Sequence, residues 1–289
     1  MCSDHRQTAG PLQACQRTED HPAMKIILTS PFDPVSEREM EYIRQYRKTH
    51  GLRDIWLSVD EEGTIAHDIR VALLKKAAAY DRRLHICETS ETGEAIEPLD
   101  EDTIRKGLYR LAAKGIRKNL ITEGYYLDET AKAMCNPHRY AHSKSVAQTA
   151  VKLARAHHMD EKKAYVMGML HDITKAFSDE QNEQIIRLYK PEWLSLSPKV
   201  WHSYTAVIFA KQNMSLTEGD IAYAMEHHTI GDGNTDYAAL LYIADKIEPL
   251  RGYDVSKQTA SAMKNLKKAA FEIREESKAY ILKTEGIHV

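Results

Sequence analysis

The 289 residues carry 40 Lys plus Arg against 42 Asp plus Glu, a formal net charge of -2, so no general basic field is available to hold a nucleic-acid backbone. The length admits one large domain or two smaller ones, and no apolar run approaches the roughly 20 residues needed to span a bilayer. Cys2, Cys15, Cys87 and Cys135 form no CxxC pair or metal-knuckle spacing, which predicts a reducing, cytoplasmic setting.

Residues 1–23 mix Gly, Pro, Gln and charges without the apolar segment of a secretion signal, and are expected to be a flexible extension. Strands are then expected at 25–29, 55–59 and 83–86, with helices at 37–50, 69–79 and 102–114, the last capped by Asp102. This alternation predicts an α/β domain over 24–130. After Asn136-Pro137 the chain turns to Ala, His, Leu, Met and Lys, with apolar residues recurring every three to four positions, which predicts an all-α domain over 131–289. Asp160 is placed to cap a helix over 161–172 and Thr217 one over 218–228. Gly231 and Gly233 mark a turn, and Pro249 ends the helix carrying Asp245.

Eight of the 14 histidines lie between His138 and His228, but their positions on helices say more than their number. His142 shares a helical face with Val146, Thr149 and Leu153, and His171 follows Ala164 and Met167 by seven and four residues. His202 is spaced in the same way from Ala206 and Phe209, His228 from Ile221 and Ala224, and Asp245 from Ala238 and Leu241. One inward imidazole is ordinarily structural. Inward carboxylates are another matter, because burying a charge is costly unless it meets a cation or several donors, and metal coordination would satisfy the whole set together. His171 and Asp172 supply nitrogen and oxygen from one turn, and His142, His202, His228 and Asp245 arrive from elsewhere, so two divalent ions can share Asp172 as a bridge. Such a pair activates water and neutralises phosphate charge.

Asp172, Lys175 and His227 are the expected catalytic residues. Lys175 lies one turn beyond His171 and can reach an anionic phosphate; Arg251 offers a planar clamp; for both, an ordinary salt bridge is an equal alternative. His227 is rotated about 100° from His228 and is read as a proton donor or a supporting residue. Thr229 and Gly231 are read as rim residues for substrate, through a hydroxyl and a close backbone approach.

Arg139-Tyr-Ala-His142, His171-Asp-Ile-Thr-Lys175, Trp201-His202, His228-Thr-Ile-Gly231 and Ala244-Asp-Lys-Ile-Glu-Pro249 resemble the motif series of bacterial symmetrical diadenosine tetraphosphate hydrolases of the HD superfamily, over roughly 136–285. The resemblance implies a helical HD domain cleaving a dinucleoside polyphosphate, diadenosine tetraphosphate above all, into two ADP. It also implies one ion among His142, His171, Asp172 and Asp245 and another among Asp172, His202 and His228, with iron favoured. Mixed nitrogen and oxygen ligands also accept manganese, cobalt, nickel or zinc.

Thr29-Ser-Pro-Phe-Asp-Pro-Val35 resembles the phosphate loop that opens nicotinate-nucleotide adenylyltransferases, but Ser36-Glu-Arg-Glu39 stands where that family has paired histidines. Segments 102–105 and 121–124 resemble its nucleotide-binding region, with a shorter stretch between. This implies a shortened Rossmann-like, nucleotidyltransferase-like domain with reduced or absent adenylyl transfer, in which Glu37 and Glu39 repel an anionic transition state. Ser30, Phe32 and Asp33 also fit an ordinary strand-to-helix turn with a packing aromatic and a cap, and Thr103 and Arg105 an ordinary helix start. A broader HD nucleotide phosphohydrolase or mononucleotidase, an active adenylyltransferase and a noncatalytic nucleotide-binding protein are the alternative readings. Neither extended nucleic acid nor a membrane is an expected partner, and a homodimer stays open.

Overall fold

The computed structural model describes residues 25–285; the extension expected at 1–23 lies outside them. Four parallel strands, β1 (Ile27–Ser30), β2 (Ile55–Val59), β3 (Leu84–Ile86) and β4 (Glu94–Ala95), form one sheet in the order β3-β2-β1-β4. Alternation explains the faces: Ile55, Leu57 and Val59 are buried on one side, and the register sets Leu28 beside Leu57 and Leu84 beside Ile55. Helix α1 (Glu37–Thr49) buries Met40 and Ile43, and α2 (His67–Ala78) packs on β2 and β3.

The turn from β1 into α1 is held by polar groups inside the protein. Asp33 accepts from the Tyr126 hydroxyl at 2.6 Å and from the Thr64 amide, while its own amide donates to Glu101 Oε1 at 2.9 Å. Arg105 donates to the Asp33 carbonyl and lies 3.6 Å from Glu101 Oε2. Arg70, from α2, is buried and donates to the carbonyls of Pro31, Ile65 and Glu61 at 2.8, 3.0 and 2.8 Å. The loop over its guanidinium passes at Gly63, where a Cβ would come within 2.5 Å of Arg70 Cζ.

The expected helix over 102–114 is corrected. Only α3 (Glu101–Arg105) forms, because Gly107 at φ +109 turns the chain, and a short 3-10 turn, Tyr109–Leu111, follows. Asp100 occupies the N-cap, and Asp102 instead lies inside the helix, paired with Lys106 at 2.6 Å. The two-residue β4 had no expectation at all.

From Glu101 on, every described element is helical. Helices α4 (Arg117–Thr122) and α5 (Leu127–Met134) pack on α7 (Glu161–Leu170), which also lies along α6 (Pro137–Ala156). Gly168 makes that approach close, since a Cβ there would stand 2.5 Å from Ala147 Cα. Asn136 caps α6 through the Arg139 amide, with Pro137 in the first turn, and Asp160 caps α7 through the amides of Lys162 and Lys163. Helix α8 (Asp179–Tyr189) packs on α9 (Pro198–Met214), and α9 on α10 (Gly219–His227). Thr217 is not the cap of α10: Glu218 holds that position without a side-chain cap bond, and the Thr217 hydroxyl donates to the Glu218 carboxylate. Helix α11 (Asp236–Ile247) is central, against α6, α7, α10 and α13 (Leu266–Glu285), with α12 (Ser256–Ala262) beside α13. One hydrophobic cluster runs from Leu28 in the sheet to Ile273 in α13. No helix among the described residues is long and apolar enough to cross a membrane.

Glu39 is fully buried at the start of α1, in a capping box with Ser36. Burial drives its carboxyl from 4.5 up to about 8, opposed by the Ser36 amide and aided by the charge of Glu101. The folded chain therefore keeps a proton between these values that the unfolded chain has released. This contribution to stability is full below the unfolded pKa and is lost as pH rises through the folded one, by roughly 5 kcal/mol in all. Glu39→Gln should flatten the urea-unfolding free energy against pH across that window, and a profile parallel to wild type would contradict the assignment.

Candidate metal centre

Two of the expected ligands sit at helix ends. His171 closes α7 and His228 closes α10, and each ring lies with Nδ1 against the carbonyl three residues back, Gly168 O at 2.8 Å and Met225 O at 2.7 Å. Each carbonyl lies in the last turn of its helix, and the contact fixes both ring orientation and tautomer and turns Nε2 inward. His142 reaches in from α6, with Nδ1 3.0 Å from Glu248 Oε1 and Nε2 3.1 Å from Asp245 Oδ1. His202 comes from α9, and its Nε2 stands 3.2 Å from Asp172 Oδ1, with His228 Nε2 at 3.5 Å from the same oxygen.

All six expected ligands thus meet in one place. His142, His171 and Asp245 form one group able to hold an ion and His171, Asp172 and His228 another, the ligand atoms within each lying within 4.8 Å of one another. The groups share His171, where the expectation was a shared Asp172. His202 belongs to neither, although it adjoins Asp172.

The donor set fits divalent metal. His171 Nε2 and Asp172 Oδ1 are buried without a hydrogen-bond partner of acceptable geometry, His202 near the latter notwithstanding. Leaving both buried and unpaired is costly, and a cation between them removes that cost. Burial pushes the His171 ring down to about 4, so it is a neutral ligand. Burial alone would raise Asp172 and Asp245, but the imidazoles around Asp172, and Lys246, His142, His171 and Arg251 around Asp245, outweigh it and hold both carboxyls well below their usual range.

A cavity of about 380 Å³ opens over the cluster, with Arg139, Lys175, Thr229, Lys246 and Arg251 in its wall. Lys175 Nζ is 2.7 Å from His202 Nε2 and 3.8 Å from Asp172 Oδ1, and burial lowers its pKa. Thr229 Oγ1 is 3.2 Å from His202 Nε2. Arg251 is folded onto Asp245, 2.5 Å from Oδ1 and 2.7 Å from its carbonyl. Two expected residues are not brought to the cavity. His227 points away and pairs with Asp232 at 2.6 Å, which removes it as a proton donor to this site. Gly231, at φ +72, is a turn behind the site, packed on the Tyr242 ring with its carbonyl accepting from Arg274. In the α/β half, Arg105 is engaged by Asp33 and Glu101, in keeping with the structural role open to it at a helix start. Glu248, which aims His142, and Lys246, which lines the cavity, had no role in the sequence reading. The signal for Glu248 was its place three residues after Asp245, just past the helix end.

Helices that converge inward histidines and aspartates beneath a cation-rimmed cavity form a hydrolase-type centre whose ligands could hold divalent metal. The HD domain family profile matches residues 139–250. The symmetrical bis(5'-nucleosyl)-tetraphosphatase of Bacillus subtilis is 33% identical over 125 residues, covering 42% of this chain and 67% of that protein. The enzyme of the same name from Staphylococcus aureus is 29% identical over 161 residues, covering 54% and 83%. A probable nicotinate-nucleotide adenylyltransferase/Ap4A hydrolase of Mycoplasma genitalium is 32% identical over 179 residues, 57% of this chain, and the match spans 49% of its length. Among solved structures, an HD superfamily hydrolase involved in NAD metabolism from Clostridium acetobutylicum superposes with a TM-score of 0.51 at 27% identity, covering 56% of this chain and 88% of that one. The chain belongs to the HD-domain family of the symmetrical bis(5'-nucleosyl)-tetraphosphatases, which are phosphoanhydride hydrolases.

Removing the carboxylate that aims a ligand histidine weakens metal binding by about 10- to 100-fold. Glu248→Ala should therefore raise the Mn²⁺ concentration needed to shift the thermal unfolding midpoint by that factor. Asp172→Ala should abolish the shift while circular dichroism shows a folded chain, and an undiminished shift in both variants would contradict the site.

Proposed function

We propose that the chain cleaves dinucleoside tetraphosphates symmetrically, diadenosine tetraphosphate giving two ADP, with divalent ions held by His142, His171, Asp172, His202, His228 and Asp245. The observation that carries the reading is the pair of buried, partnerless ligand atoms, His171 Nε2 and Asp172 Oδ1, beneath a cavity walled by cations. The substrate follows from the family's named members and the motif series. When bound, divalent ions supply activation of water and neutralisation of phosphate charge, and iron is the metal the resemblance favours.

The remaining tasks fall to side chains. Asp172, flanked by the imidazoles of His202 and His228, carries an oxygen of the second ligand group that would help orient the attacking water. Lys175 and Arg251 contribute positive charge at the wall, Lys175 as a point charge and Arg251 as a planar fork once phosphate competes with Asp245 for it. Thr229 offers a hydroxyl between His202 and His228 for a phosphate oxygen.

The α/β half is, in this reading, a Rossmann-like scaffold without adenylyl transfer. Its support is structural: Ser36 and Glu39 satisfy each other in a capping box, and Arg105 is committed to Asp33 and Glu101. Glu39 is pushed up to about 8 and is mainly neutral at pH 7, so its effect at this site is occupancy and not the charge repulsion expected from the sequence.

Metal-reconstituted full chain with diadenosine tetraphosphate should give ADP as the initial product by chromatography, and Asp172→Ala should lower turnover by more than about 100-fold. Initial AMP plus ATP would reject symmetrical cleavage. Dinucleotide formed by the full chain from nicotinate mononucleotide and ATP would reject the scaffold reading.

A further inference from the structure

A second cavity, of about 620 Å³, lies beside the metal cavity, and Lys246 lines both. We propose that it is a nucleoside subsite, taking the base and ribose of one half of the dinucleotide while the phosphate chain passes Lys246 to the metal cluster. The inference rests on the dinucleotide reading above and adds to it the place where a nucleoside is recognised.

The cavity's walls match the chemistry of a base. Ile247 at the end of α11 and Ile273 in α13 give a buried apolar floor, and Val255 closes one side. Tyr253 and Tyr280 line it and are 57% and 69% exposed, which puts two aromatic side chains at a cavity large enough for a nucleoside. Large aromatic surface left to solvent beside an apolar floor is expected where a planar ligand stacks. Its polar lining is limited to Lys246, Gln258, Glu276 and Ser277 beside the tyrosine hydroxyls, with Gln258 donating to Glu276 at 2.9 Å, and suits the polar rim of a base.

The position is as informative as the composition. Lys246 follows the ligand Asp245 directly, its Nζ is 3.1 Å from Asp245 Oδ2, and its carbonyl accepts from the Tyr253 hydroxyl at 2.8 Å. One short stretch of chain, Asp245 to Tyr253, therefore joins a ligand, a phosphate-facing cation and an aromatic wall. Arg251 stands within the same stretch, at the metal cavity. A ligand with a diphosphate on one side of Lys246 and a base on the other satisfies both cavities at once, which neither a bare polyphosphate nor an uncharged apolar molecule does.

Calorimetry on the metal-loaded full chain compares ADP with inorganic pyrophosphate. Tyr253→Leu combined with Tyr280→Leu should weaken ADP binding by about tenfold or more and leave pyrophosphate affinity as it was. Tyr253→Phe, which keeps the ring, should hold ADP close to wild type. No ADP binding by wild type, unchanged ADP affinity in the double variant, or an equal loss for pyrophosphate would each overturn the subsite. These readings need no turnover. Ring-dependent ADP binding in a chain that fails to cleave diadenosine tetraphosphate would sink the substrate reading and leave the subsite standing. Symmetrical cleavage with a KM indifferent to both rings would sink the subsite alone.

Discussion

Asp172 and Asp245 are carboxylates placed almost out of reach of water, and the helical half is organised around that cost. A buried carboxylate without compensation is among the most destabilising groups a fold can hold. Compensation here comes from separate elements: His142 from α6, His171 from the end of α7, His202 from α9, His228 from the end of α10, and Lys246 and Arg251 from the chain at and after the end of α11. The close α6–α7 approach at Gly168 follows from the same demand, because His142 and His171 meet at 5.3 Å between ring centroids only if those backbones come together. Stability and chemistry are in tension at this point, since the groups that shield the carboxylates are the same imidazoles and cations that line the cavity.

The α/β half shows the opposite use of buried polarity. Asp33, Glu39, Arg70, Glu101 and Arg105 are tied to backbone groups or to one another at the end of β1, where a phosphate-binding turn would open to its ligand. Arg70 alone joins the β1–α1 turn to the loop after β2 through three carbonyls. Groups satisfied internally have little to gain from a phosphate. The shared hydrophobic cluster then makes this half a wall for the helices, with Phe209 of α9 against Gly107 after α3.

What the sequence made legible was periodic, and what it hid depended on single bonds between distant residues. Alternation located β2 to the residue, and helical spacing aimed the inward faces of α6, α9 and α11. Propensity over 102–114 favoured a helix that one left-handed glycine ends, and β4 forms only because two residues meet β1. The direction of His227 was out of reach for a similar reason, since Asp232 five residues on decides it. Arg251 was read as a phosphate clamp with a salt bridge as an equal alternative, and the turn through Pro249 and the left-handed Gly252 folds its guanidinium onto Asp245. Local pattern carries orientation along a regular element, and it loses it at the first residue past the cap.

That loss matters because chemistry gathers at caps. His171 and His228 both set Nδ1 against a carbonyl in the last turn of their own helix, which leaves Nε2 facing the site. His50 does the same at the end of α1, with Nδ1 2.9 Å from Tyr46 O, yet its ring stacks on Tyr46 at an exposed surface. A histidine at a helix end is therefore a pre-oriented nitrogen and nothing more. It becomes part of a centre only where helices ending at the same place set several such nitrogens around a carboxylate that has no water to turn to, and in this chain α7 and α10 end that way while α1 does not.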